Sequence, residues 1–263
     1  MITIKNYIKA KTLEEAYQLN QKKRNCVIGG MLWLKTGKRA VDTAIDLSGL
    51  GLDAIEETDA CFRIGTMVTL RQLETSSSLN AFFGNSIRKA VADIVGVQFR
   101  NLATVGGSIW GRYGFSDVLT VFLSLETCVE LYRGGTVSLE EFVRMPKDRD
   151  ILTHITVKKV PGFYSYEAFR IQRTDFPVIT CAVSGFNGEY RAAVGARPGR
   201  ALIVRDAEHI LERGLTEDSI RQFASYVAGR TGTGTNMRGG KEYRRQLIKA
   251  LTERCLAESG EST

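Results

Sequence analysis

Two short runs with strand character each end in a pair of glycines, and this repeated device constrains the chain more than any other feature. Asn25-Cys26-Val27-Ile28 runs into Gly29-Gly30, and Ala103-Thr104-Val105 runs into Gly106-Gly107. Glycine lacks a Cβ and reaches positive φ without steric cost, so backbone N–H groups there can approach an anion closely. Consecutive N–H groups in such a bend form a concave nest that suits phosphate oxygens. One Gly-Gly pair is more often a tight turn than a phosphate site. Two pairs, each at the exit of an expected strand, fit a ligand with two linked phosphates, and both readings stand at this level. Other phosphate loops fail on spacing: there is no G-x-x-x-x-G-K-[ST] and no G-x-G-x-x-G after a strand, and Gly232-Thr233-Gly234 is a fragment within a loop.

The chain has 263 residues, 43% apolar and 25% charged, enough for one large or two moderate domains with a sizeable core. No apolar run approaches the ~18–20 residues that span a bilayer. The start, Met1-Ile2-Thr3-Ile4-Lys5-Asn6-Tyr7, lacks the features of a signal peptide, so a cytoplasmic protein is expected. Five cysteines (Cys26, Cys61, Cys128, Cys181, Cys255) are far apart, form no C-x-x-C pair, and are joined by only two histidines. That pattern argues against a disulfide framework and against a zinc or iron–sulfur site built by this chain alone, so no metal ligands are expected. Redox chemistry would need an organic cofactor. The net charge of +7 is dispersed in short or interrupted clusters, with no stripe interleaved with aromatics, and nucleic-acid binding is not expected.

Along the chain, Thr12-Leu13-Glu14-Glu15 has capping-box spacing at a helix start, and residues 25–28 and 44–47 read as strands. These form a compact βαβ-like opening. A second unit begins with a strand at 61–65. Thr69 to Gln72 again has capping-box spacing, and helices are expected at 86–95 and 118–125. Gly134-Gly135 joins a hairpin, Ser138 opens a short helix, and 151–157 is β-rich. Pro161-Gly162 marks the best candidate boundary. Strands at 164–170, 178–186 and 190–195 follow, the last two joined by Asn187-Gly188, a strong hairpin signal. Helices are expected at 206–213, 217–227 and 242–256. The fold class is α+β in two domains. His154 reads as structural, Cys128 and Cys181 as small buried hydrophobes, Glu140 and Glu141 as first-turn helix residues, and Tyr243 and Arg244 as packing with a surface ion pair.

Phe99-Arg100-Asn101-Leu102-Ala103-Thr104-Val105-Gly106-Gly107-Ser108-Ile109 resembles the R-N-x-A-T-x-G-G-[NS]-I signature of the molybdenum hydroxylase flavoproteins. That family includes the flavin domain of xanthine dehydrogenase and the medium subunits of carbon monoxide dehydrogenase. Ile28-Gly29-Gly30 resembles its A-G-G element, and Ser116-Asp117 the serine and aspartate that follow the signature. Tyr166-Glu167-Ala168-Phe169-Arg170 resembles the opening of the family's C-terminal domain. Asn236 to Arg244 resembles the closing D-x-R-x-S-x-x-Y-R motif, with Asn236 and Gly240 in place of aspartate and serine.

The resemblance implies a vanillyl-alcohol-oxidase-like (PCMH-type) FAD-binding domain over 1–160, in subdomains of about 1–55 and 56–160. A small sheet-and-helix domain would follow over 161–263. It implies that FAD is held by Val27, Ile28, Gly29, Gly30, Met31 and Leu32 and by Ala103, Thr104, Gly106, Gly107 and Ser108. Ser116 and Asp117 would reach a ribityl hydroxyl or nearby group, and Arg170 would stand near the ring. The expected function is electron transfer in a complex, with the flavin at the meeting of the two domains and the molybdopterin and 2Fe-2S clusters on a large and a small partner subunit. NAD+ or another acceptor would take the electrons. The alternative is a self-contained FAD-dependent reductase or oxidase. No catalytic acid or nucleophile is expected. Met31, Leu32 and Trp33 depart from the polar residues usual after the A-G-G element, which removes side-chain hydrogen bonds there. Trp110 and Tyr113 replace residues that are commonly small, and read as packing or as a wall near the flavin.

Overall fold

The computed structural model describes residues 1–212 and 214–258. In chain order it contains β1 (Thr3–Lys9), α1 (Leu13–Asn20), β2 (Cys26–Ile28), β3 (Ala40–Asp46), β4 (Ile55–Glu57) and β5 (Cys61–Gly65). Six helices follow: α2 (Leu70–Thr75), α3 (Ser77–Phe82), α4 (Ser86–Ala92), α5 (Val97–Arg100), α6 (Val105–Gly111) and α7 (Asp117–Ser124). Next come β6 (Thr127–Leu131), β7 (Gly135–Ser138), α8 (Leu139–Arg144), β8 (Leu152–Lys158), β9 (Gly162–Phe169), β10 (Ile179–Phe186), β11 (Glu189–Gly195) and β12 (Leu202–Arg205). Helices α9 (Glu217–Arg230) and α10 (Lys241–Ala257) end the described chain. These elements form two compact units. Unit 1 comprises Met1–Gln72, Val97–Gly111 and Thr127–Lys158; unit 2 comprises Leu73–Gly96, Arg112–Glu126 and the described residues of Lys159–Thr263.

Unit 1 holds two sheets. The first is parallel, in the order β1-β3-β2, with Ala44 and Ile45 of the central strand buried. Helix α1 starts where the Thr12 hydroxyl accepts the Glu15 N–H at 3.1 Å, while the Glu15 carboxylate takes the Lys11 N–H at 2.8 Å. The second sheet runs β4-β5-β8-β6-β7, and Phe62, Ile64, Val129, Ile155 and Val157 bury its apolar face completely. Its strand residues of the opposite set make a polar cluster. Arg63 binds Glu130 at 2.8 Å and His154 Nδ1 at 2.8 Å, and the Thr156 hydroxyl donates to Glu130 at 2.7 Å. Hydrogen bonding from Arg63 holds the Glu130 carboxyl below the ordinary range. Burial, reinforced by Arg63, pushes the His154 imidazole down. His154 therefore has a structural place.

The sequence suggests a strand from Ala103 to Val105, but only an isolated bridge joins Thr104 to Thr69 before helix α6 begins at Val105. Three backbone bonds account for this. The Leu70 N–H donates to Ala103 at 2.8 Å, the Val105 N–H to Val68 at 2.8 Å, and the Gly106 N–H to Thr66 at 2.9 Å. A methyl on Gly106 would overlap Thr66, and one on Gly30 would overlap the Leu102 carbonyl. Neither glycine has positive φ. Close backbone approach, rather than left-handed geometry, is why both positions are glycine.

Unit 2 is built on an antiparallel sheet ordered β12-β11-β10-β9. Asn187 and Gly188, at φ 53° and 78°, form the two-residue turn between β10 and β11, which the sequence signalled. Val183, Val194, Phe223, Ile248 and Leu251 belong to one core that joins sheet and helices. Every residue of α7 is buried, and Thr120 on it meets Thr180 of β10 at 2.9 Å. The expected helix at 206–213 does not form across 206–212, and Arg213 lies outside the described residues. The Asp206 carboxylate instead accepts the Ile210 and Leu211 N–H groups at 2.9 and 2.8 Å, a local alternative to helical bonds. Arg244, expected at a surface ion pair, is 1% exposed and donates to Val178 O at 2.6 Å, Ala196 O at 2.5 Å and Asn236 Oδ1 at 2.5 Å.

Gly30→Ala and Gly106→Ala should each destabilise unit 1 by about 1–3 kcal/mol, the usual range for overpacking. Gly107→Ala, which meets only Thr104 Oγ1, at 3.1 Å, should stay within about 0.5 kcal/mol. Urea unfolding measures all three, and an unaffected Gly30→Ala would refute the packing argument. Glu130 and His154 both have lowered folded values, so their stabilisation is present above the unfolded values and lost as pH falls through the folded ones. The urea midpoint should decline as pH drops below about 6.5 and further below about 4.3. His154→Gln should flatten the upper part of that decline; an unchanged profile would exclude His154 as its source.

Candidate functional site

The residues implied for cofactor binding separate into one cluster in each unit. In unit 1, Val27 and Ile28 are the end of β2, paired with Ile45 and Asp46 of β3, and the chain then leaves the sheet through Gly29 and Gly30. Gly29 sits beside the Thr104 side chain and Gly30 on the Leu102 carbonyl, so the 29–32 and 102–108 segments are in direct contact. The left-handed bend falls on Met31, at φ 57°. A non-glycine residue there costs about 1–2 kcal/mol, and the fold keeps it.

The amides divide sharply. The N–H groups of Gly106, Gly107 and Ser108 already donate to Thr66 O (2.9 Å), Thr104 Oγ1 (3.2 Å) and Thr104 O (3.1 Å). The Ser108 hydroxyl also donates to Thr104 O at 3.0 Å, and the Ala103 N–H to Phe99 O at 2.8 Å. By contrast, the N–H groups of Gly30, Met31 and Leu32 have no acceptor among the described residues. Three successive unpaired amides around a left-handed residue are the arrangement that binds phosphate oxygens. Gly107 is exposed, and only Thr104 Oγ1 lies near the place of its missing side chain. This geometry fits a diphosphate: donors come from the first loop, and the second loop supports it with a surface free of side chain at Gly107.

In unit 2, Ser116 caps α7, its hydroxyl accepting the Leu119 N–H at 3.1 Å. Asp117 follows, 4% exposed, and its Oδ1 accepts from both the Tyr166 hydroxyl and Arg170 Nη2 at 2.5 Å. Arg170 also donates through Nη1 to Asp175 O at 2.7 Å. Burial pushes the Asp117 carboxyl up, and the Arg170 guanidinium is the strongest influence opposing that rise. Burial likewise drives the Tyr166 phenol well above its ordinary value, so it stays a donor. Arg170 is thus the buried partner of Asp117. Tyr166 had no role in the sequence reading, although strand alternation puts 166 and 168 on one face of β9, with Arg170 just past its end.

The two aromatic departures pack. Trp110 lies 5.7 Å from Phe142 in unit 1, while Tyr113 stacks on Phe115 at 5.2 Å in unit 2. Among the described residues, no three His, Cys, Asp or Glu side chains gather as a metal site, and no helix is long and apolar enough to cross a membrane.

Comparison with known proteins covers nearly the whole chain. Residues 2–160 match the FAD binding domain in molybdopterin dehydrogenase, and residues 164–259 match the CO dehydrogenase flavoprotein C-terminal domain. The uncharacterized protein YgfM of Escherichia coli (strain K12) is 25% identical over 257 residues, covering 94% of this chain and 93% of that protein. The nicotine 6-hydroxylase medium subunit of Paenarthrobacter nicotinovorans is 26% identical over 234 residues, covering 83% and 82%. In fold, the chain matches one from the carbon monoxide dehydrogenase of Hydrogenophaga pseudoflava with a TM-score of 0.85 at 21% identity, covering 96% of each. With its α+β architecture and both domains matched, the chain belongs to the FAD-binding flavoproteins of the molybdenum hydroxylase family of oxidoreductases.

Proposed function

We propose that this chain is the electron-transfer subunit of a molybdenum hydroxylase complex. It would take electrons from 2Fe-2S clusters on a small subunit, which a molybdopterin-bearing large subunit reduces, and pass them to NAD+ or another acceptor. Within that reading, residues 1–160 are the FAD-binding domain and 161–263 the C-terminal flavoprotein domain. One observation carries it: the amides of Gly30, Met31 and Leu32 have no protein acceptor, in the domain matched to FAD binding. The naming of a relative as a medium subunit supports the assembly.

When bound, FAD supplies exchange between one-electron and two-electron carriers. The chain's residues bind and position. The amides of 30–32 donate to diphosphate oxygens, and Gly107 keeps a side chain out of their way. In unit 2 the Asp117 carboxylate is held through Oδ1 by Tyr166 and Arg170, ready to accept a hydrogen bond from a ligand hydroxyl. Burial pushes the Asp117 carboxyl up, and the Arg170 guanidinium beside it opposes that rise. No residue of either cluster is asked to act as a nucleophile or to move a proton.

The gently purified chain should be yellow, carry one FAD, and show little turnover without its partners; co-purification from the native host should bring a molybdenum-bearing and an iron–sulfur-bearing chain. Full turnover by the single chain would favour the self-contained reductase or oxidase instead. Gly107→Leu should lose FAD while its far-UV circular dichroism stays that of the parent. FAD retained by a folded Gly107→Leu chain would remove the diphosphate from this loop. Asp117→Ala leaves the buried Arg170 guanidinium without its carboxylate and should lower stability by about 3–5 kcal/mol, measured by urea unfolding; a change under about 1 kcal/mol would contradict the buried pairing.

A further inference from the structure

An apolar feature beside the unpaired amides has no part in phosphate binding. Trp33 follows Gly30 by three residues and is 38% exposed, although indoles are usually covered. Its ring meets Phe99 edge-on, with centroids 6.1 Å apart and the planes at 65°. Phe99 belongs to α5, whose Val97 is 43% exposed, and Leu102 just beyond it is 55% exposed. The Leu102 carbonyl is the group on which Gly30 sits. Backbone bonds tie these positions together, Asn101 N–H to Val97 O at 2.9 Å and Leu102 N–H to Phe99 O at 3.1 Å. Trp33, Val97 and Leu102 therefore lie on the two loop segments that meet at the amides of Gly30, Met31 and Leu32, all within unit 1.

We infer that Trp33, with Leu102 and Val97, seats the adenine ring of the bound dinucleotide. The inference rests on the FAD reading above and deepens it. A diphosphate held by the 30–32 amides carries an adenosine on one side, and an uncharged flat base needs a ring or aliphatic face more than it needs hydrogen bonds. The patch offers that chemistry. Its exposed faces are mostly hydrocarbon, which suits a flat base better than the polar pyrimidine edge of an isoalloxazine. Covering three large apolar side chains would also add binding energy through burial. It compensates for the polar side chains that Met31, Leu32 and Trp33 replace.

Trp33 and Trp110 are the two tryptophans of the chain, so the full-length Trp110→Phe protein leaves Trp33 as the single indole. Titrating it with ADP should quench or shift its emission, whereas inorganic pyrophosphate should not. Trp33→Ala should raise the Kd for both FAD and ADP about tenfold, the scale of one lost base stack, and leave the Kd for FMN unchanged. Trp33→Phe should keep most of the wild-type affinity, which separates stacking from misfolding. Emission indifferent to ADP, or a Trp33→Ala chain that binds ADP as the parent does, overturns the adenine seat while leaving FAD binding intact. Equal loss for FMN and FAD also overturns it. A parent chain that takes up no FAD overturns the functional reading itself.

Discussion

Backbone lying directly on backbone is the constraint from which unit 1 is organised. Gly30 rests on the Leu102 carbonyl and Gly106 on Thr66, with no room for a Cβ at either place. This seating commits the amides of 106–108 to acceptors within the protein and shifts the left-handed bend to Met31. What it leaves is a row of three unpaired donors. Buried or partly buried N–H groups without acceptors are uncommon in folded proteins, and a row of them at a strand exit is a feature that a ligand's oxygens would satisfy. Stability and binding are thus two consequences of one packing arrangement.

Unit 2 handles its charges differently. Arg170 and Asp117 neutralise one another out of solvent, with Tyr166 as a second donor, and both partners are under a tenth exposed. Arg244 is buried and donates to neutral oxygens: the carbonyls of Val178, Ala196 and Gly239 and the Asn236 side-chain amide. Where the family motif has aspartate, Asn236 provides an oxygen without the charge. Burial then lowers the Arg244 value from its ordinary range, yet a guanidinium stays charged at any physiological pH. It joins the 231–240 segment to β10 and β11 through direction-specific bonds. Such buried polar contacts fix one arrangement at the expense of desolvation.

Much of this was legible in the sequence where local chemistry decides structure. Thr12, Thr69 and Ser138 cap the helices they announce, and Asn187-Gly188 makes its hairpin because φ is positive at both residues. The family motifs pointed to FAD binding, and the order of strands and helices to the α+β class. The misreadings came where distant partners compete. Ala103 to Val105 has strand composition, but Val68 and Thr66 take the amides of Val105 and Gly106, and a helix follows despite its three glycines. Asp206 draws two N–H groups to its own side chain, so the helix expected there does not start. The glycines were read as places where backbone closely approaches an anion, and Gly30 and Gly106 both lie against protein. Nothing local told which amides would remain unpaired, because that depends on Thr66 and Thr104. Arg170 was expected near the flavin ring, and its pairing with Asp117, 53 residues away, had no local signal.

The claim on which the functional account turns is that three particular amides receive the diphosphate. Amide proton and nitrogen shifts of the uniformly labelled chain, followed by NMR as FAD is added, test it directly. The account expects the Gly30, Met31 and Leu32 protons to move strongly downfield and exchange more slowly with solvent, while those of Gly106, already bonded, change little. Large shifts confined to 106–108, or no slowing of exchange at 30–32 at saturating FAD, would contradict it.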